Sequence, residues 1–204
     1  MGNRQSSYKV TKFARKTPLV VSDYRIKKFE SYFNFLDTNN DGVIGKEDHE
    51  LAAKNMTALS SGNVADAESL IATLMTWWGV QGTEDEEDAE ITVAEAGQRI
   101  ATYCRRTDPE IAEKQTRSTY DRTFDFIDWN KDGVISQEEL MNYYKSYGVF
   151  DEDFITEVFE MIDVSGNGVI SREDFVDAHV AFWYNDDPKN GFHVLYDVPK
   201  GLLL

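Results

Sequence analysis

Apolar residues recur along this chain at helical spacing and break off at acidic, glycine-bearing stretches. Ile26, Phe29, Phe33 and Leu36 share one helix face and give way at Asp37. Phe154, Val158, Phe159 and Ile162 do the same and give way at Asp163. Phe175, His179, Phe182 and Trp183 stand at i, i+4, i+7 and i+8, so another helix presents an aromatic stripe with a histidine in it. Pro188 and Gly191 then turn the chain before a last apolar run that includes Tyr196. The pattern predicts an all-α protein with helices on either side of short polar loops.

Three of those loops repeat one motif: "DTNNDGVIGKED" from Asp37, "DWNKDGVISQEE" from Asp128 and "DVSGNGVISRED" from Asp163. Each has the spacing of an EF-hand, in which a hard cation takes side-chain oxygens from positions 1, 3 and 5, a carbonyl from 7, commonly a water at 9 and a carboxylate from 12. A glycine at position 6 permits the sharp turn. The first loop offers Asp37, Asn39, Asp41, the Val43 carbonyl and Asp48, with Gly45 leaving position 9 to water. The second of these loops offers Asp128, Asn130, Asp132, the Val134 carbonyl, Ser136 and Glu139. The last offers Asp163, Ser165, Asn167, the Val169 carbonyl, Ser171 and Asp174. Asp/Asn/Gly turns also cap helices, but three matches in register favour the metal reading.

Hands come in pairs, and Ile44, Ile135 and Ile170 at position 8 suit the short strand that joins paired loops. The first loop therefore needs a partner, which is found in "EDEEDAEITVAE", with Ile91 at position 8. This stretch opens with Glu84 and has Ala89 where the glycine belongs, so we read it as a degenerate, metal-silent second hand. Three calcium ions are expected. Of these three metal-binding hands only the third ends in glutamate, Glu139, whose reach allows bidentate coordination. Asp48 and Asp174 are one methylene shorter, which makes hands I and IV weaker for calcium or tolerant of magnesium.

Composition narrows the setting. The single cysteine, Cys104, rules out an internal disulfide and fits a reducing compartment. No apolar run approaches the roughly 18 residues of a membrane span, so a cytoplasmic, monomeric protein is expected. Residues 1 to 28 carry eight Lys/Arg against one Asp, and the rest carries 13 against 36, which excludes nucleic acid as a partner of the acidic body. "MGNRQSS" matches an N-myristoylation signal at Gly2, and Lys9, Lys12, Arg15 and Lys16 supply an electrostatic second signal for a membrane surface. A solvated or self-docked basic tail is the plainer alternative.

Over essentially residues 6 to 200 the chain resembles the family of sarcoplasmic calcium-binding proteins, calexcitin, coelenterazine-binding proteins and the photoproteins of the aequorin and obelin type. "YFNFLDTNNDG" and "HVAFWYNDDP" with the final "LY" most resemble the photoproteins. The resemblance implies that His179, Trp183 and Tyr196, with Tyr143 after the third loop, line a cavity for coelenterazine. It departs at Phe29, where photoproteins carry a second histidine, and at Gln98 and Thr102, where they carry Tyr and Trp. His179 is thus either a satisfied core residue or a ligand-facing one.

The resulting expectation is one compact globule of four hands in two pairs. It has a basic tail over 1–21, pair I/II over 22–107, pair III/IV over 108–186 and a C-terminal segment over 187–204 that packs on the body. The expected role is that of a calcium buffer or sensor with an apolar ligand cavity. The alternative is a coelenterazine-binding, calcium-regulated photoprotein or luciferin carrier, an enzyme only in the sense of a single-turnover oxygenation. No hydrolytic triad or phosphate-binding glycine loop competes.

Overall fold

The structure, a computed structural model, describes residues 22–59, 91–185, 187, 189 and 191–198. Gly2, the basic residues of the tail and the acidic stretch from Glu84 to Glu90 lie outside the described residues.

The first helix, α1 (Asp23–Leu36), starts where the Ser22 hydroxyl accepts the Arg25 N–H at 3.2 Å. Its apolar stripe buries Phe29, Phe33 and Leu36. Loop I and strand β1 (Val43–Ile44) lead into α2 (Lys46–Leu59). Strand β2 (Ile91–Thr92) feeds α3 (Val93–Arg106), and α4 (Pro109–Ile127) follows with Asp108 as N-cap and Pro109 at its first position. Strand β3 (Val134–Ile135), α5 (Gln137–Ser146), α6 (Glu152–Ile162), β4 (Ile170–Ser171) and α7 (Arg172–Tyr184) complete the second half, and a 3-10 turn spans Phe192–Tyr196.

The position-8 isoleucines meet as the pattern requires. β1 and β2 pair antiparallel with Ile44 opposite Ile91, and β3 and β4 pair with Ile135 opposite Ile170. All four isoleucines are buried. The degenerate second loop thus keeps the structural half of its role, the strand that partners hand I. The all-α architecture of paired hands is therefore present, with only two-residue strands among the described elements.

Helix packing crosses between the halves. α1 lies on α3, where Gly97 lets the backbones approach, since a Cβ there would meet Glu30 Cγ at 3.1 Å. α4 lies on α7, while α2 of the first half packs on α5 of the second. The 3-10 turn closes the core with Phe192, Leu195 and Tyr196, all buried, and the Tyr144 hydroxyl donates to the Leu195 carbonyl at 2.7 Å.

Two cations counted with the basic N-terminal region are in fact interior. Arg25 Nη1 donates to the Trp183 carbonyl at 3.3 Å and Lys28 Nζ to that of Asn185 at 2.9 Å. These acceptors lie at the C-terminal end of α7, where backbone carbonyls lack helical partners and the dipole favours positive charge. Both side chains also lie over aromatic rings, Arg25 over Phe29 and Lys28 over Tyr24, Phe29 and Phe182.

Candidate metal-binding loops and aromatic interior

Each loop begins as a helix ends. Asp37, Asp128 and Asp163 are the C-caps of α1, α4 and α6, and each backbone N–H still donates to the carbonyl four residues back. Their side chains then turn inward and gather loop amides. Asp37 accepts from Asp41 N at 3.1 Å and Gly42 N at 2.9 Å. Asp128 accepts from Asp132 N at 3.1 Å and Gly133 N at 3.0 Å. Asp163 accepts from Gly166, Asn167 and Gly168. The position-6 glycines take φ of 84°, 88° and 85°, a left-handed conformation that a Cβ disfavours even where space is open.

Positions 3 and 5 fall in with this frame. Asn39 and Asn130 accept from the position-5 amide at 3.0 and 2.7 Å, and Asp41, Asp132 and Asn167 accept from the position-7 amide at 2.9 to 3.1 Å. In hand IV the Ser165 hydroxyl instead donates to Asp163 at 3.1 Å.

The position-12 carboxylates differ most. Asp48 is buried, and its two oxygens accept three loop amides: Thr38 N at 2.8 Å, Asn39 N at 3.2 Å and Gly45 N at 2.9 Å. Glu139 is equally buried, but Ser136 occupies only one of its oxygens, through backbone N–H and hydroxyl, each at 2.8 Å. The other oxygen, Oε1, is buried and has no hydrogen-bond partner. A buried carboxylate oxygen without a donor is unfavourable unless a cation meets it. Asp174 is half-buried and accepts the Ser171 hydroxyl at 2.7 Å. In the degenerate hand the corresponding Glu95 is exposed and serves as a capping box with Thr92.

Among the described residues no three His, Cys, Asp or Glu side chains form a ready-made cluster. The loops mix carboxylates with amide, hydroxyl and carbonyl oxygens, and their carboxylates turn to loop amides instead of to one another. Burial raises the Asp37 carboxyl above its usual value, Gly42 N–H opposes the rise and the Asp48 charge adds to it. A divalent cation between the two would remove that repulsion. The donor set of each loop therefore fits calcium.

Behind the loops lies an interior of aromatic rings. The buried His179 ring stacks on Tyr120 with centroids 4.0 Å apart, and its Nδ1–H donates to the Phe175 carbonyl at 2.7 Å. Burial lowers its pKa to about 3, with the Phe175 bond opposing, so the imidazole is neutral. Trp183 Nε1 donates to the Tyr120 hydroxyl at 2.9 Å, and that hydroxyl stands 3.4 Å from that of Tyr196. Burial pushes the Tyr120 phenol up to about 12.

His179, Trp183 and Tyr196 are thus brought together, but around Tyr120 and not through a direct His179–Tyr196 hydrogen bond; those two rings are 5.9 Å apart. Tyr143 sits one ring away, reaching Tyr196 through Phe35, whose centroid is 5.9 Å from Tyr143 and 5.0 Å from Tyr196. Phe29 packs on Trp183 at 4.9 Å. Gln98 is exposed on α3 and Thr102 half-buried, so neither replaces a large interior ring. The crevice between Tyr32, Thr116, Thr119, Tyr120 and Trp183 has no room for a water molecule. Tyr120, the centre of this network, is the residue that sequence reasoning missed. Its signal was the i, i+4, i+7 stripe Tyr120, Phe124, Ile127 on α4.

Comparison with known proteins agrees with the loops. Residues 118–178 match the family described as "EF-hand domain pair" and residues 29–48 that described as "EF hand". The sarcoplasmic calcium-binding protein of Mizuhopecten yessoensis is 21% identical over 161 residues, 79% of this chain and 90% of that protein. The coelenterazine-binding protein of Renilla muelleri, in its calcium-loaded apo form, superposes with a TM-score of 0.69 at 23% identity, covering 85% of this chain and 94% of that one. Calcium-loaded apo-aequorin from Aequorea victoria superposes with a TM-score of 0.61 at 25% identity, covering 82% and 94%. Residues 29–48 and 118–178 thus carry EF-hand sequence that supports calcium binding, and the chain as a whole is similar to the sarcoplasmic calcium-binding proteins and shares its fold with coelenterazine-binding protein and the photoproteins.

Proposed function

We propose that the protein takes up three calcium ions, at hands I, III and IV, and acts as a cytosolic calcium buffer or sensor. The observation that carries this reading is the buried Oε1 of Glu139, which has no hydrogen-bond partner, at the end of a loop that holds the motif's other acceptors in sequence. In hand I the ligands are Asp37, Asn39, Asp41, the Val43 carbonyl and Asp48. In hand III they are Asp128, Asn130, Asp132, the Val134 carbonyl, Ser136 and Glu139. In hand IV they are Asp163, Ser165, Asn167, the Val169 carbonyl, Ser171 and Asp174. Magnesium competes best at hands I and IV, whose position-12 aspartates favour a smaller coordination number. Native mass spectrometry and calorimetry test this: three ions in the wild type and a weakened site in Glu139→Gln. Four ions, one ion or an unchanged titration would defeat it.

A second reading has a specific observation in its favour, the gathering of His179, Trp183 and Tyr196 round one buried phenol, in a fold shared with a protein whose name includes coelenterazine binding. In that reading coelenterazine enters beside His179 and Tyr196 and against Trp183, with Tyr143 beyond, and the rings move apart to admit it. Apo-protein incubated with coelenterazine and oxygen and then given calcium decides. A flash identifies a photoprotein, release without light a carrier, and no binding leaves the buffer or sensor. Acylation at Gly2 is tested by Gly2→Ala, which abolishes membrane recovery in a myristoylating cell if the anchor is real.

A further inference from the structure

Hand I pairs with a loop that lacks the glycine and the opening aspartate of a metal site, so any energetic partner that binds calcium must reach it by another route. Helix α5 offers one. Its first turn carries Glu139 of hand III, and its last turn ends against hand I. The Asn55 side-chain amide, two turns into α2 beyond Asp48, donates to the Ser146 carbonyl at 3.0 Å. Phe35, two residues before Asp37, packs on Tyr143, Tyr144 and Tyr147 with ring centroids at 5.9, 5.3 and 4.6 Å. Both helices that flank loop I therefore rest on the far end of the helix that holds the hand III glutamate.

The two loops start from different states. Glu139 keeps one oxygen uncommitted, whereas both oxygens of Asp48 accept amides of its own loop, so an ion at hand I competes with those amides for Asp48. We infer that hands I and III are coupled calcium sites with α5 as the rigid link between them: hand III fills first, and the resulting shift of α5 under Phe35 and Asn55 helps loop I release Asp48. This rests on the reading of both loops as ion sites. A ten-residue helix moves as one body, and a small displacement at its first turn is carried to its last. By linkage, hand I tightens hand III by the same factor.

Calcium titrations followed at the amides of Gly42 and Gly133 read the two sites separately, because each amide donates to the position-1 aspartate of its own loop. In wild type Gly133 is expected to respond at lower calcium than Gly42. In Glu139→Gln the Gly42 midpoint is expected to rise about 5-fold or more, the lower end of typical couplings, while Asp174→Asn in hand IV moves it less. In Asn55→Ala, which touches no proposed ligand, the Gly42 midpoint is expected to lose most of its sensitivity to Glu139→Gln. Circular dichroism of each calcium-free variant checks that it folds, with Asn55→Ser as the milder alternative. A Gly42 midpoint indifferent to Glu139→Gln overturns the coupling alone. A stoichiometry that does not fall by one in Asp37→Asn removes hand I as an ion site, and the coupling with it.

Discussion

His179 is buried, neutral and stacked on Tyr120, and its charge state ties it to pH in a definite direction. The folded pKa of about 3 lies below the 6.5 of the free side chain. Above 6.5 neither state is protonated and His179 costs nothing. As pH falls, the unfolded chain takes up the proton first, so stability is lost from 6.5 downward until the folded value is reached. The slope is about 1.4 kcal/mol per pH unit within that window. Tyr120 and Tyr196, the titratable groups stacked round it, stay protonated throughout. His179→Phe removes this cost, so its thermal stability relative to wild type should rise between pH 6 and 4. Parallel acid profiles would mean that the ring is not held neutral. Tyr120→Phe acts differently, removing the buried phenol oxygen that accepts the Trp183 N–H. Denaturant unfolding should show a loss of about 1–3 kcal/mol.

The loops are the elements whose form follows most directly from local chemistry. The position-6 glycine takes φ of 88° in hand III with no atom within 4 Å of a built Cβ, so the obstacle to a side chain is backbone conformation and not space. Gly133→Ala should therefore cost about 1–2 kcal/mol, the price of a left-handed L-residue, and weaken hand III while leaving hand IV nearly intact. Site-resolved calcium titration with a denaturant curve checks both halves of that expectation. Ile135 and Ile170 face each other at the strand pair, both fully buried. Ile135→Ala should cost about 2–5 kcal/mol and disturb hands III and IV together, because the strand pair belongs to both.

Over the whole molecule, the C-terminal segment joins the two halves. Tyr196 contacts Tyr32 and Phe35 of α1 and Phe182 of α7, while Leu195 accepts the Tyr144 hydroxyl of α5. Ending the chain before Phe192 strips three fully buried apolar residues from the core and should cost several kcal/mol, at about 1.5–3 kcal/mol per large side chain. A thermal unfolding midpoint within a degree or two of wild type would show that this segment is an appendage. The expectation matters for calcium as well, since a core open at this point no longer holds α1, α5 and α7 in register.

The alternation of apolar stripes with glycine-turned acidic loops determined by itself that the chain makes paired hands, where the candidate ligands stand and which loop departs from the motif. A loop of twelve residues folds on its own dihedral and hydrogen-bond preferences, so position within the motif is enough. It also placed His179 and Trp183 on one inward face, because helical spacing is local. Tertiary structure alone decided what that face meets: Tyr120 at the centre, Phe29 against Trp183, and a crevice beside Tyr120 and Trp183 too small for a water molecule. It alone buried Arg25 and Lys28 against the end of α7, although composition groups them with a basic tail. It alone set α2 on α5. Contacts between residues tens of positions apart depend on how helices cross, and no single stretch of sequence carries that information.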